Sequence, residues 1–191
     1  MPKAQGSQAD ARFNIFYGDR NGSGSGADLL SATGVGNILM PHTCFVSVHP
    51  TADIVDMPVN AQTTIIFNGE DFDNQGRYNT STGIFTAPVT GYYLSNLQIA
   101  LKQIDTGFTY MWVGVFSDGT PQFGCFQRYN PNDFSADTDT NAVTRSGSTI
   151  FKLDAGDTLK VNFYQQGGTQ QTDVAGQSNG AMSNWQIRLI G

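Results

Sequence analysis

Few side chains in this 191-residue sequence could support catalysis. Its two histidines, His42 and His49, are seven residues apart, which suits neither a metal site nor a base–nucleophile pair, and we expect ordinary surface or loop histidines. Adjacent acids such as Glu70 and Asp71 are common in loops, and nothing fixes their separation at the distance that glycoside hydrolysis requires. No serine elbow, zinc-binding helix motif or phosphate-binding loop occurs. The sequence therefore predicts a protein that is not an enzyme and has no cofactor.

Metal and redox chemistry have equally little support. Cys44 and Cys125 are the only cysteines, and the 80 residues between them exclude the close spacing of zinc or redox motifs. Two buried thiols are the favoured interpretation, and a disulfide is the alternative. Asp133, Asp137 and Asp139 could offer oxygen ligands to calcium, but they lack the glycine and terminal glutamate of an EF-hand loop. Solvated surface acids are favoured there.

Charge and hydropathy exclude two classes of partner. The formal net charge is -6, and no basic cluster is present that could replace the counterions of nucleic acid. No run approaches the roughly 18 apolar residues of a membrane span, and the amino terminus lacks the apolar core of a signal peptide. We expect a soluble protein that binds neither nucleic acid nor membrane and is not exported by the secretory route.

The remaining sequence predicts an all-β fold, because short apolar runs alternate with turn residues and only 14% of residues are charged. The central stretch is 83–101, where two extended runs flank a corner that contains Pro88 and Gly91. We expect Gly91 to have a positive φ. The apolar residues of the second run fall on one face of a strand. They are Tyr93, Leu97, Ile99 and Leu101.

Further strands are predicted along the rest of the chain, with the polar stretches 71–81, 127–146 and 165–180 as loops. The predicted strands are 44–48, 59–68, 110–116, 148–153, 158–164 and 183–191. The run 110–116 has no polar side, so we expect it to be covered on both faces, by a second sheet and by another subunit or a long loop.

Residues 1–40 differ from the rest and predict an extended, Gly/Ser-rich anchoring arm, followed by a globular domain at 41–191. The run 18–26 is typical of a flexible linker, and a phosphate-binding loop is disfavoured because no lysine or strand–helix unit flanks it. The arm also carries apolar residues that a solvated tail does not need, so we expect them to dock on another surface. These are Phe13, Ile15, Phe16, Tyr17, Leu29, Leu30, Ile38, Leu39 and Met40.

Several motifs occur in an order that resembles one family. They are Ile65-Ile66-Phe67-Asn68, Tyr78-Asn79, the run 82–88 and Gly91-Tyr92-Tyr93. This order is similar to the globular head of complement subcomponent q, a branch of the tumour necrosis factor-like jelly rolls. The hairpin at 153–161 and the last strand at 183–190 are similar to further family segments. The collagen-like stalk and the export signal of animal members are not seen, so we expect a viral member rather than a secreted immune protein or cytokine.

The resemblance implies an all-β, ten-stranded, two-sheet jelly roll that assembles as a homotrimer and has no enzymatic activity. Together with the two-sided apolar run at 110–116, it predicts a trimer interface in that strand. The interface residues would be Tyr110, Trp112, Val113, Val115 and Phe116.

Two functions fit this reasoning. The first is a trimeric decoration or cement protein on the outer capsid surface of a virion, most plausibly a tailed bacteriophage, with the arm bound to the major capsid protein. The alternative is an adhesin or fibre-tip module that binds a host receptor or glycan through the loops 127–146 and 165–180. The absence of heptads or collagen repeats favours the cement protein, because a fibre tip usually hangs from a long shaft.

Overall fold

The computed structural model describes residues 13–16, 28–32, 38–39, 43–104, 107–118, 120–128 and 143–191. The chain divides into two compact units, Met1–Thr43 and Cys44–Gly191. In the first unit, strands β1 (Phe13–Phe16), β2 (Asp28–Ala32) and β3 (Ile38–Leu39) form an antiparallel sheet in the order β1-β2-β3. The sequence predicted an extended arm in this region, and the structure shows three short paired strands within it.

The described residues of the second unit form twelve strands in two antiparallel sheets. Their bounds are β4 Phe45–His49, β5 Thr63–Thr64, β6 Gly69–Asp73, β7 Tyr78–Asn79, β8 Ile84–Thr86, β9 Gly91–Lys102, β10 Tyr110–Ser117, β11 Thr120–Arg128, β12 Val143–Leu153, β13 Thr158–Gln166, β14 Asp173–Val174 and β15 Asn184–Leu189.

One sheet, called here the β9 sheet, has the order β12-β9-β15-β4-β6, and β14 also pairs with β9. The other, called the β13 sheet, has the order β11-β10-β13-β8-β7, and β5 also pairs with β13. Two sheets of five main strands confirm the predicted two-sheet jelly roll. The predicted strand at 59–68 is reduced to β5, and a separate strand, β6, begins at Gly69. Strand β11 was not predicted.

The core lies between the sheets and is built from the alternating residues of both. In β9 the predicted inward residues Tyr93, Leu97, Ile99 and Leu101 are buried. Large aromatic side chains fill the centre: the rings of Phe85 and Tyr93 meet edge-on at 5.8 Å, and Phe67 lies 6.1 Å from Trp185. Trp185 also donates a hydrogen bond of 2.9 Å from Nε1 to the Ser95 hydroxyl, so its only polar atom is satisfied inside the core.

The corner before β9 differs from its prediction. Gly91 does not have a positive φ, whereas Gly83 has a φ of +74°. A side chain at Gly91 would instead collide with its neighbours, because a Cβ there would lie 2.7 Å from the carbonyl oxygen of Gly191. Close packing therefore explains the glycine at 91. At Gly83 the backbone conformation acts together with tight packing, because a Cβ there would lie 3.1 Å from the Ile65 carbonyl oxygen.

Candidate interaction surfaces

The outward side of the β9 sheet carries a group of exposed apolar residues, called here the apolar face. Tyr92, Ile150 and Ile190 are 52%, 57% and 48% exposed. Strand pairing places Ile150 beside Leu94, and the rings of Phe45 and Phe72 lie 4.4 Å apart on the neighbouring strands β4 and β6. The apolar face is defined as Phe45, Phe72, Tyr92, Leu94, Ile150 and Ile190.

The apolar face contains two exposed cations and adjoins polar residues. Lys152 pairs with Tyr92, and Arg188 lies between Leu94 and Phe45 in the strand register. Further along the same sheet, a concavity of about 280 Å³ is lined by polar residues that include Asn96, Gln98 and Ser148. The outward side of the β9 sheet is thus mainly apolar around Tyr92 and Ile150 and polar around Asn96 and Gln98.

The predicted trimer strand, β10, divides its residues between two environments. Met111, Val113 and Val115 are fully buried in the core of the protomer. The sequence placed Val113 and Val115 at a trimer interface, but their side chains point between the sheets and offer no surface to a second subunit. The strand has no polar side because its outward residues are also apolar.

Those outward residues form an aromatic cluster on the β13 sheet. Tyr110 and Trp112 are half-buried, Phe116 is buried, and the Trp112 and Phe116 rings meet edge-on at 4.9 Å. The Trp112 indole lies across Gly124 of β11, where a Cβ would approach Nε1 to 2.8 Å. Tyr110, Trp112 and Phe116 therefore remain available as a predicted contact surface, although neighbouring residues of the same protomer already cover much of them.

A serine, an aspartate and a histidine meet at the edge of the β9 sheet. The Ser47 hydroxyl donates a hydrogen bond of 3.0 Å to Asp71 Oδ2, and His49 Nδ1 lies 3.3 Å from Asp71 Oδ1. The aspartate lies between the other two, so the histidine is not placed to take a proton from the serine. This arrangement gives no nucleophile. The sequence predicted that His49 lies at the surface or in a loop, but the structure shows it buried in strand β4. His42 lies outside the described residues.

A second charged group joins β9 to the segment before β5. Lys102 Nζ lies 2.8 Å from Asp53 Oδ2, and the Gly176 N–H donates a 2.8 Å bond to Asp53 Oδ1. Burial raises the pKa of the Asp53 carboxyl, but these two hydrogen bonds and the lysine charge outweigh burial and lower the pKa overall. The predicted calcium candidates Asp133, Asp137 and Asp139 lie outside the described residues. Within the described ranges, no group of three or more His, Cys, Asp or Glu residues could hold a metal ion.

Both cysteines are free thiols. Cys44 is buried, whereas Cys125 is half-buried on β11. Burial is the main reason that each pKa is raised to about 11, and the Asp73 charge adds to the effect at Cys44. The sequence favoured two buried thiols, and of the two only Cys44 is fully buried. No helix in the described part of the chain is long and apolar enough to cross a membrane.

The two antiparallel sheets and their strand order define a tumour necrosis factor-like jelly roll. The sequence profile of the C1q domain matches residues 51–179, and the chain belongs to this family. The mouse collagen alpha-1(X) chain is a relative, 26% identical over 116 residues. That match covers 54% of this chain and 15% of the collagen chain, so only a small part of the longer protein is represented.

Solved structures show the same fold. The globular domain of zebrafish complement 1qA protein superposes with a TM-score of 0.53 at 17% identity, covering 78% of this chain and 98% of that domain. Murine APRIL gives a TM-score of 0.53 at 14% identity, with 78% and 99% coverage. The Eiger TNF from S. frugiperda gives 0.52 at 13% identity, with 78% and 93% coverage.

Family membership establishes the general character of the protein. C1q and TNF domains are globular binding modules without enzymatic activity and typically form homotrimers. The predicted family and the prediction that the chain is not an enzyme are therefore confirmed. The viral origin, the capsid and the capsid protein partner go beyond what these relatives show and are taken up below.

Proposed function

We propose that this chain forms a homotrimer through the apolar face of the β9 sheet. The observation that carries this proposal is the exposure of Tyr92, Ile150 and Ile190, each about half accessible on the outward side of the sheet. Water-exposed apolar residues that adjoin one another usually mark a contact surface. A threefold arrangement would bury this surface in each of three protomers.

The sequence-predicted interface at Tyr110, Trp112 and Phe116 is the second candidate. The observation in its favour is the outward aromatic cluster on β10. It is the weaker candidate because Phe116 is only 5% exposed in the single protomer and has little surface left to bury.

Matched charge substitutions distinguish the two faces. Ile150→Asp places a carboxylate within the apolar face, and Trp112→Asp places one within the aromatic cluster. Light scattering of the intact chain at micromolar concentration should give a trimer for wild type and Trp112→Asp, and smaller species for Ile150→Asp. Circular dichroism checks that each variant folds. The reverse pattern would favour β10, and a wild-type monomer would overturn the homotrimer.

We further propose that the trimer is a decoration or cement protein on the outer capsid surface of a virus, namely a tailed bacteriophage. The support is the separate unit Met1–Thr43, which would bind the major capsid protein while the jelly roll stays outside. A trimer suits a threefold or local threefold axis of a shell, and three weak attachments together give high avidity. The predicted anchoring residues Phe13, Ile15, Phe16, Leu29, Leu30, Ile38 and Leu39 belong to the strands of that unit, and Tyr17 and Met40 lie outside the described residues.

Attachment is tested by comparing the full chain with a variant that lacks residues 1–43. The probe is purified particles of the virus that encodes this protein, after the protein has been stripped from them. Co-sedimentation should recover the full chain and lose the shortened trimer, and re-decorated shells should resist heat better than bare ones. Full occupancy by the shortened variant would overturn the anchoring role. Binding to host cells without any binding to shells would favour the adhesin instead.

A further inference from the structure

A concavity of about 670 Å³ lies at the outer edge of the β13 sheet, on strands β7 and β8. Tyr78 and Phe85 pair across these strands and are buried in the core. Their neighbours Asn79, Ile84 and Thr86 therefore face outward and line the concavity. Arg77, Thr80 and Thr82 complete the polar part of the lining.

The lining offers hydrogen-bonding groups that the fold does not use. Among the described residues, the hydroxyls of Thr80, Thr82 and Thr86 have no hydrogen-bond partner. The side-chain oxygen of Asn79 is already hydrogen-bonded within the fold, since Oδ1 accepts the N–H groups of Ser81 and Thr82 at 2.9 and 3.2 Å. Its amide nitrogen stays available as a donor. Such a set of neutral donors and acceptors suits a ligand rich in hydroxyl groups.

Among the residues that the structure describes, two cations at this place form no ion pair, although an acid lies nearby. Arg77 forms no ion pair with any described residue, and Lys160 stands beside Ile84 in the strand register with no ion pair there either. Asp73 is the neighbouring acid, but its oxygens accept the N–H groups of Gln75 and Tyr78 at 3.2 and 2.7 Å. Asp118 Oδ1 accepts hydrogen bonds from the N–H and the hydroxyl of Thr158, two residues before Lys160. In a chain of net charge -6, two free cations flanking a hydroxyl-lined concavity favour an anionic group on the ligand.

We propose that this concavity binds an acidic saccharide, such as a hexuronic acid unit of a polysaccharide. Arg77 would pair with the carboxylate, because a guanidinium presents two parallel donors that match it. The threonine hydroxyls and Asn79 would bind the ring hydroxyls, and the Ile84 side chain would contact the apolar C–H groups of the ring.

The site is complete within one protomer and does not depend on the proposed trimer or its interface. It lies on the β13 sheet, whereas the apolar face belongs to the β9 sheet. A trimer formed through the apolar face would leave three such sites exposed, and a polysaccharide could then bind with an avidity well above that of one site. The failure of trimer formation would lower that avidity and leave the single-site affinity unchanged.

Saturation-transfer NMR on the intact chain tests the proposal, with glucuronic acid as the probe and glucose as the matched neutral sugar. We expect saturable binding of glucuronic acid with a Kd on the order of 1 mM, and at least roughly tenfold weaker binding of glucose. Acetate should compete poorly, because it lacks the ring hydroxyls.

Two variants locate the binding. Arg77→Gln should weaken glucuronic acid at least roughly tenfold, and Thr82→Val should weaken it without a change in charge. Lys152→Gln removes the same charge from an exposed position on the β9 sheet and should bind as wild type does. Melting curves confirm that each variant is folded. Absence of glucuronic acid binding, equal binding of glucose, equal competition by acetate, or wild-type affinity in both Arg77→Gln and Thr82→Val would each overturn the proposal.

Discussion

The phenolic oxygen of Tyr78 accepts a 3.1 Å hydrogen bond from the backbone N–H of Phe67 inside the core. The Tyr78 and Phe67 rings lie 6.0 and 6.1 Å from that of Trp185, so one indole contacts both partners. Burial raises the pKa of the Tyr78 phenol, and the Phe67 hydrogen bond opposes that rise only in part. The phenol therefore stays neutral at physiological pH and joins the segment before β6 to strand β7.

Tyr78→Phe should destabilise the protein, because the Phe67 N–H is left buried without an acceptor while the ring is kept. We expect a loss of about 1–3 kcal/mol in the free energy of unfolding. Urea denaturation at a fixed protomer concentration measures it. Tyr164→Phe removes a hydroxyl from the half-buried outer face of β13 and should change stability by less than about 0.5 kcal/mol. Equal losses in the two variants would contradict the assigned role of the hydrogen bond.

The core face of β9 was predictable because its pattern is local. Leu97 and Ile99 flank the polar Gln98, and a period of two assigns them, together with Tyr93, to one side without knowledge of any other strand. Strand β10 lacks that information: its outward residues include Trp112 and Phe116, so both sides look equally apolar. The pairing of β10 with β13 decides which side faces the core, and that pairing is long-range.

The burial of His49 and the concavity on β7 and β8 depend on contacts between distant segments. His49 follows the alternation of β4 and lies on the side opposite Val46 and Val48, which the sequence does indicate. Its burial arises because Gly69 and Gly180 lie against it: a Cβ at Gly69 would come 2.6 Å from His49 Nε2, and one at Gly180 would come 3.3 Å from the His49 Cβ. Arg77 and Thr86 likewise meet only because β7 pairs with β8.

Asp173→Asn should stabilise the protein at neutral pH. Asp173 is only 4% exposed and accepts a 2.8 Å hydrogen bond from the Asp56 N–H, which an asparagine oxygen can also accept. Burial is the main cause of its raised pKa; the charges of Asp56 and Asp53 add to it, while the Asp56 hydrogen bond and Lys102 act in the opposite direction. The folded state therefore holds the proton more tightly than the unfolded chain does, and stability is lost as the pH rises through the folded pKa.

Melting temperatures between about pH 4 and pH 8 test this sign. The advantage of Asp173→Asn over wild type should be largest at the upper end and should shrink as the wild-type carboxyl becomes protonated. Asp154→Asn, at an exposed turn, makes the same change in net charge and serves as the control. A variant that is less stable than wild type throughout this range would show that the Asp173 carboxylate is favourable in the fold.

Both thiols should react slowly in the native protein. A pKa of about 11 at Cys44 and Cys125 leaves little thiolate at pH 8, so alkylation should be roughly two orders of magnitude slower than for free cysteine. Iodoacetamide labelling followed by mass spectrometry should find two rapidly modified sites in urea and slow modification without it. Cys125 should react before Cys44, because it is half-buried rather than buried. Rapid native labelling of Cys44 would contradict its burial.

The glycines at 83 and 91 should respond differently to the same substitutions. At Gly83 any Cβ would lie 3.0 Å from Thr64 Cγ2 and 3.1 Å from the Ile65 carbonyl oxygen, so alanine and asparagine meet the same crowding at Cβ. Its φ of +74° is tolerated better by asparagine than by alanine, so Gly83→Asn should be less harmful than Gly83→Ala. At Gly91 a Cβ would lie 2.7 Å from the Gly191 carbonyl oxygen and 2.8 Å from Leu189 Cδ1. That oxygen also accepts the Tyr92 N–H, so it cannot withdraw without loss of a hydrogen bond. Gly91→Ala should cost about 1–3 kcal/mol, and the larger Gly91→Asn should cost at least as much. If Gly91→Asn were instead the more stable of the two, backbone conformation rather than crowding would explain the glycine at that corner.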